Sequence, residues 1–467
     1  MTIYILGAGP TGLAVADGLF DLEEYNFKLI EKNNSIGGLA STISWNGIGY
    51  HDLGPHKLFT LDKKLMNRVK KLLSEGSWLT KDKKSSIYLN GYFLPYPPSP
   101  FSLAKVFGLK SFIRMILGFL SVKILLWKKK NGGNFEEDVR ARVGKELFTI
   151  LFEPIAKKIW GNPKELSSRL SKGRIQVPSI LEILFTILRI RKTSNFEALT
   201  FEYPKGGLGK IWEAIRSKTS KAGDFILNTE IVDFEIEQEK IKSFTYKNEI
   251  NTTKIELKED DFIISTLPIL LNVGFFNSLF SNVEIEEIKS TIILNDLMLV
   301  FLHVNSNRLL KESWIFVPDT KIIFHRISEQ SSFDEGMVKH GSIICCEIML
   351  TPEKNLDNTS NEEIVKRTIT DLHKLVTTEF IVLDSKIINL RNSYPVYKEG
   401  FENILDPMLH KLDSITNFKS IGRQGSFNYI GTLDAMDIGY GFVEWFKNSN
   451  KGWDAERLRT NEYPILD

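Results

Sequence analysis

An α/β fold carrying an added antiparallel sheet is predicted by three observations. A glycine-rich turn follows the first apolar run, a second apolar run closes a βαβ unit by residue 30, and short β-rich runs dominate after residue 225. Ile3-Tyr4-Ile5-Leu6 is continuously apolar and reads as a buried parallel strand. Gly7-Ala8-Gly9-Pro10-Thr11-Gly12 follows as the turn, and a helix is expected from about Leu13 to Leu22. Phe27-Lys28-Leu29-Ile30 is the second strand.

The middle of the chain predicts a helical lobe, from about Phe101 to Arg191. Val139, Val143, Leu147 and Leu151 recur at one-turn spacing, and Pro178 breaks the pattern. Strand signals return at Ile231-Val232-Asp233-Phe234 and Phe262-Ile263-Ile264-Ser265. They continue through Ile292–Val304, Trp314–Ile327 and Ser342–Met349, and a helix is expected from near Asn361. That later block reads as an antiparallel sheet with a covering helix.

Composition removes several functional classes. The 467 residues hold 60 Lys and Arg against 58 Asp and Glu, a formal charge of +2, which gives no electrostatic case for nucleic-acid binding. The two cysteines, Cys345 and Cys346, are adjacent in a strand, so their thiols point to opposite faces and a reducing, cytoplasmic setting is expected. No signal peptide is visible at the start. No metal-site spacing occurs among the seven histidines.

Gly7, Gly9 and Gly12 form a G-x-G-x-x-G pattern between strand and helix, and Glu31 ends the next strand 19 residues later (31 − 12). Gly7 permits the tight turn, Gly9 lets the backbone approach a pyrophosphate, and Gly12 lets helix and strand pack closely. The helix N-terminus offers free N–H groups to phosphate, while Glu31 is expected to accept from ribose hydroxyls. NAD and FAD share this unit, so the segments after Glu31 must separate them.

Gly37-Gly38-Leu39-Ala40-Ser41 resembles the second glycine motif of the amine-oxidase superfamily of flavoproteins, a group that includes protoporphyrinogen oxidases and UDP-galactopyranose mutases. The resemblance implies a Rossmann-type FAD-binding domain, an antiparallel-sheet substrate domain and an inserted helical lobe, with FAD bound non-covalently. Gly38, Leu39 and Ala40 would then lie beside the pyrophosphate and ribityl chain, with Pro10, Thr11 and Lys32 in the same cofactor-binding set. Asp52-Leu53-Gly54-Pro55-His56 resembles the segment running under the isoalloxazine, where a side chain in place of Gly54 would collide with the ring. Val232 matches a position that meets the adenine, and Thr266 lies in the strand end Ser265-Thr266-Leu267-Pro268 that leads back towards the substrate domain. Ile421-Gly422-Arg423-Gln424-Gly425, with Asp434, Met436 and Asp437 a turn later, resembles the C-terminal flavin motif.

Within the superfamily the likeness is strongest to the branch holding protoporphyrinogen-oxidase-like proteins and UDP-galactopyranose mutases. It rests on Glu153-Pro154-Ile155-Ala156-Lys157-Lys158-Ile159-Trp160-Gly161, on Ile323-Phe324-His325-Arg326-Ile327, and on Gly422 through Tyr429. One departure stands out: Ile430-Gly431-Thr432-Leu433 intervenes before Asp434, where the mutases continue almost at once into an acidic turn.

Two reaction classes follow from the resemblance. The first is an oxidoreductase of oxidase or desaturase type that passes hydride from a small-molecule substrate to flavin N5, and it is the preferred expectation because no His or Cys constellation for acid–base work is evident. The second is a mutase using reduced FAD, in which Arg174 and Arg326 clamp a nucleotide diphosphate through paired hydrogen bonds. A purely structural FAD is a third reading. His56 is read as a hydrogen-bond donor that orients the backbone, with a catalytic role open, and Tyr429 and Tyr397 as walls of the pocket.

The expected layout is cofactor-binding residues 1–85, 201–270 and 416–467, a helical lobe at 86–200 and the antiparallel-sheet substrate domain at 271–415. Phe112 to Trp127 is too short to span a bilayer, which needs roughly 20 apolar residues. With Lys128-Lys129-Lys130 behind it and a second apolar run at 180–190, the segment suits either packing inside the lobe or peripheral contact with a membrane. Internal packing of Ile116, Phe119 and Leu120 against Leu184 and Leu188 is the first expectation.

Overall fold

The computed structural model describes the chain except residues 24, 97, 99, 126–132, 175–199, 352, 353, 355, 449–451, 461, 462 and 464–467. A five-stranded parallel sheet forms one half of it. Its strands, in spatial order, are Phe418–Ser420, Phe262–Ser265, Thr2–Leu6, Asn26–Ile30 and Gly223–Ile226. Ile5 pairs with Leu29 on one side and Ile264 on the other, so the first strand lies between neighbours and its apolar run is buried on both faces.

Helix Pro10–Leu22 starts three residues earlier than the periodicity indicates, with Pro10 in the first turn, where a missing N–H costs nothing. Helix Thr432–Lys447 packs across it at small residues. A Cβ on Gly439 would stand 2.4 Å from the Thr11 carbonyl oxygen, and one on Gly18 would stand 3.0 Å from Val443 Cγ2. The last part of the chain thus closes over the first helix, which is why the Gly7–Gly12 turn and the Gly422 segment, at opposite ends of the sequence, meet in space.

The second half is a seven-stranded sheet in the order Val382–Val396, Ile293–Val304, Ser342–Leu350, Arg326–Glu329, Trp314–Phe316, Ser85–Leu89, Tyr92–Pro95. All its pairings are antiparallel except that of Trp314–Phe316 with Ser85–Leu89. Cys345 joins one apolar layer with Leu299 and Phe301, and Cys346 joins the opposite layer with Val300 and Ile327, as strand alternation requires. The covering helix runs from Asn361 to Leu375, with the Ser360 hydroxyl accepting from the Glu363 N–H.

Two expectations need correction. Trp314–Ile327 is not one strand: a non-strand connection with buried Ile322, Ile323 and Phe324 separates Trp314–Phe316 from Arg326–Glu329, so Arg326 opens a strand rather than ending one. Its apolar content comes from burial, which sequence periodicity cannot distinguish from a strand. Nor do Val139, Val143, Leu147 and Leu151 share a helix. Helix Phe135–Val143 stops at Gly144, which has φ 85° and whose Cβ would stand 2.8 Å from the Gly118 carbonyl carbon. Close backbone approach to helix Pro100–Leu125 therefore breaks the pattern. Pro178 and the apolar run 180–190 lie outside the described residues.

Candidate cofactor and active site

The glycine turn is built from exclusions. Gly7 has φ 100° and a Cβ there would lie 2.4 Å from Thr266 Oγ1, while a Cβ on Gly12 would lie 2.1 Å from the Gly7 carbonyl oxygen. Those two glycines serve packing. Gly9 differs: an added Cβ meets nothing within 4 Å, so its face opens onto free space at the start of helix Pro10–Leu22. That opening is where a pyrophosphate could approach the backbone.

The other motifs dock around the turn. The Gly37 N–H donates to the Ala8 carbonyl at 2.7 Å, and a Cβ on Gly38 would sit 3.1 Å from Gly9 Cα. Leu39 is half-buried beside them, and buried Ala40 offers its carbonyl to Trp212 Nε1 at 2.7 Å. Glu31 is buried; its Oε2 accepts from the Ala8 N–H at 2.8 Å and its Oε1 from Asn33. It therefore fixes the turn, in addition to any ribose contact. Lys32 is exposed.

Thr266 closes the turn from below, its N–H and hydroxyl both donating to the Leu6 carbonyl, at 2.8 and 2.9 Å. Thr11 donates to the Ala435 carbonyl at 2.8 Å, and Gly422, with φ 87°, would place a Cβ 2.7 Å from Thr11 Oγ1. Asp434 Oδ2 accepts from the Gly431 N–H that opens helix Thr432–Lys447, and burial lifts its pKa to about 6. Met436 lies in the core, and Asp437 accepts from Arg459 and Tyr463. Val232 is 42% exposed at a bulge in strand Glu230–Glu237, one strand end away from Glu31 through the Thr229 N–H bond to its carbonyl.

The segment Asp52–His56 joins the Gly37–Ser41 motif, through the Leu53 N–H bond to the Ser41 carbonyl, to the seven-stranded sheet at Glu347. Buried Asp52 accepts from Tyr203 Oη at 2.6 Å, Thr42 Oγ1 at 2.5 Å and the Leu208 N–H at 3.3 Å, and its own N–H donates to Gln330 Oε1. Burial raises its pKa to about 6 against the pull of these donors. Nothing in the sequence motif that holds Asp52 points to Tyr203 or Gln330 as its partners. Gly54, at φ 102°, turns towards Glu347, whose carboxylate would be 4.0 Å from an added Cβ. Pro55 follows, half-buried.

His56 projects from this turn with a buried Nδ1 that has no hydrogen-bond partner among the described residues. Burial, then the charges of Arg326 and Arg423, push its pKa down to about 4, so the ring is neutral at physiological pH. Arg326 gives two hydrogen bonds to Glu347, Nε to Oε1 at 2.5 Å and Nη2 to Oε2 at 2.8 Å, and reaches Tyr394 Oη at 3.4 Å. Arg326 and Glu347 are direct cross-strand partners. Sequence analysis named Arg326 but not Glu347; the signal was a single acid inside the apolar strand Ser342–Leu350.

Aromatic rings complete the wall. The Tyr394 and Tyr429 rings meet edge-on at 5.4 Å, Trp160 meets Tyr429 at 6.3 Å, and the Arg423 guanidinium lies over Tyr429 at 4.9 Å. Arg423 is tied to the carbonyls of Ile430 and Ser393. Tyr397 lies behind, its hydroxyl accepting from the Tyr429 N–H at 2.8 Å, so it supports the wall through the backbone. Arg174 ends helix Ser168–Arg174, and its side chain lies outside the described residues. The described residues contain no cluster of His, Cys, Asp and Glu able to hold a metal ion.

Residues 5–75 match the family of NAD(P)-binding Rossmann-like domains. Over the whole chain, a crystal structure of reduced UDP-galactopyranose mutase superposes with a TM-score of 0.83 at 20% identity, covering 99% of this chain and 98% of that one. The chain shares its fold with UDP-galactopyranose mutase. A proposed protoporphyrinogen oxidase from Exiguobacterium has the same fold at a TM-score of 0.72 and 15% identity, covering 96% of this chain and 99% of that one. A fatty acid isomerase from P. acnes that produces CLA follows at 0.61 and 13%, covering 95% and 98%. In this chain that fold carries the glycine turn, the Asp52–His56 segment and the aromatic rings described above.

The buried histidines give the protein a defined response to acid. His51, like His56, has its pKa lowered by burial to about 4, and burial also holds His325 well below its usual value. Their unfolded pKa is about 6.5, so the unfolded chain takes up protons first as pH falls. The stability they contribute is complete above pH 6.5 and is lost as pH drops towards 4. Asp52 and Asp434 act oppositely, with stability lost as pH rises through about 6. Thermal melts of His51→Phe, which keeps a ring against Phe301, are expected to fall less between pH 6.5 and 4 than those of the unaltered protein. Identical slopes would contradict a neutral buried His51.

Proposed function

We propose that this chain is an FAD-dependent oxidoreductase of oxidase or desaturase type. The observation that carries the reading is the state of Arg326: it is committed to a two-point ion pair with Glu347, so the strand beside Gly54 presents a neutralised pair and an aromatic wall rather than a free cation. FAD, when bound, supplies the hydride acceptor at N5. Gly9 and Gly38 support the dinucleotide by leaving space, with Glu31 and the helix N-terminus at Pro10 as polar partners. Trp160, Tyr394 and Tyr429 bind an apolar portion of a small-molecule substrate and exclude water. His56, kept neutral, is no general acid at pH 7, and its Nδ1 can orient a polar group. This division asks little acid–base chemistry of the protein.

A second reading, a mutase acting on a sugar nucleotide with reduced FAD, is supported by the overall likeness to UDP-galactopyranose mutase and by the concentration of Arg326, Arg423 and His56 on one wall. It would require a substrate diphosphate to take Arg326 from Glu347. Anaerobic addition of substrate candidates separates the two. Bleaching of the visible flavin bands by the substrate alone is expected for the oxidoreductase. Turnover of a UDP-sugar only after prior reduction by dithionite, without net flavin bleaching, would overturn it in favour of the mutase.

A further inference from the structure

Helix Pro100–Leu125 has an apolar face that nothing in the described structure covers. Beyond the kink at Gly108, Leu109, Ile113, Ile116, Leu117 and Leu120 are all exposed, Leu109 at 70% and Leu117 at 60%. Their spacing of four, three, one and three residues puts them on one stripe, while Met115 is buried and Phe112 and Phe119 are partly buried on the inward side. The expected burial of Ile116 and Leu120 is therefore not found; Leu184 and Leu188 lie outside the described residues.

The surrounding charge is one-sided. From Lys83 to Lys130 the sequence carries nine lysines and arginines, and no aspartate or glutamate occurs between Asp82 and Glu136, although the whole chain is nearly balanced at 60 against 58. Exposed Lys110 and Arg114 lie one helical step from Ile113 and Leu117, along the margin of the stripe. No helix of the described residues is long and apolar enough to cross a membrane. An apolar stripe with a basic margin and no acid nearby is the pattern of a helix that lies in the headgroup region of an anionic bilayer.

We propose that this face docks the protein on an anionic lipid surface, with Leu109, Ile113, Ile116, Leu117 and Leu120 entering the acyl boundary and Lys110 and Arg114 meeting lipid phosphates. The surface lies on the helical lobe and does not depend on the reaction class. The whole protein is to be floated with vesicles of phosphatidylcholine alone and with vesicles containing phosphatidylglycerol, at low salt and at about 0.5 M salt, where charges are screened within a few ångströms. Flotation with the anionic vesicles only, falling at least about fivefold in high salt, is expected. The double variant Ile113→Glu/Leu117→Glu is expected to stay in the bottom fraction with an unchanged melting temperature, since both side chains already face water. Protein wholly in the bottom fraction with both vesicles would overturn the proposal, and would leave a protein partner as the occupant. So would flotation equal in the double variant, or a large fall in its melting temperature, which would mean that the stripe is covered by the chain itself.

Discussion

Leucine in place of Gly9 is expected to give a folded protein that purifies without FAD. The backbone at Gly9 has φ −75° and ψ 179°, an extended conformation open to any L-residue, and an added Cβ meets no atom of the chain within 4 Å. Nothing in the protein itself opposes the substitution. The side chain would instead fill the space at the N-terminus of helix Pro10–Leu22 that the proposed pyrophosphate needs. Leucine at Gly12 makes the contrast, because its Cβ would fall 2.1 Å from the Gly7 carbonyl oxygen, and that variant is expected not to fold. Visible absorbance of the purified protein and chromatography of nucleotide released on denaturation check the first variant. Its stability should be compared with the wild type stripped of cofactor, since a ligand that binds only the folded state raises the apparent melting temperature by mass action. Stoichiometric FAD in Gly9→Leu, or release of NAD from the wild type, would remove the basis of the cofactor assignment.

The parallel half of the fold was legible because its signals are local and its strands are central. Ile3 to Leu6, Gly7 to Gly12 and Phe27 to Ile30 follow one another within thirty residues, and each demands its neighbour. Resemblance carried the reading further, to the Gly37–Ala40, Asp52–His56 and Gly422–Arg423 segments, and the structure brings all of these to the one turn or to the wall beside it. Long-range register was not legible. Asp52 meets Tyr203 across 151 residues and Gln330 across 278, and no periodicity encodes such pairs. The Trp314–Ile327 run misled because burial of an irregular connection and burial of a strand select the same side chains. Helix breaking at Gly144 was hidden for a related reason: the cause is the backbone of Gly118, 26 residues earlier (144 − 118).

The pairing of Arg326 with Glu347 predicts an asymmetry between its two halves. Glu347 is almost fully buried, with its side chain 1% exposed, whereas that of Arg326 retains 19%. Arg326→Met should therefore strand a carboxylate away from water, at a cost of about 3–5 kcal/mol. Glu347→Gln leaves an arginine that can still reach solvent and Tyr394, with an amide oxygen still in place, and should cost only about 1–3 kcal/mol. Combining Arg326→Met with Glu347→Leu removes both charges, and the double variant is expected to be more stable than Arg326→Met alone, because well-packed apolar replacements of a buried pair are often neutral. Denaturant melts of the three proteins measure this, and equal losses within about 0.5 kcal/mol for the two single variants would contradict it. The double variant also bears on function in a way that Arg326→Met cannot, since inactivity of the latter follows from instability alone. If the site removes hydride from an apolar substrate, the double variant should keep its flavin and still bleach with substrate. If Arg326 instead leaves Glu347 to hold a diphosphate, the same stable protein should lose UDP-sugar binding about tenfold or more.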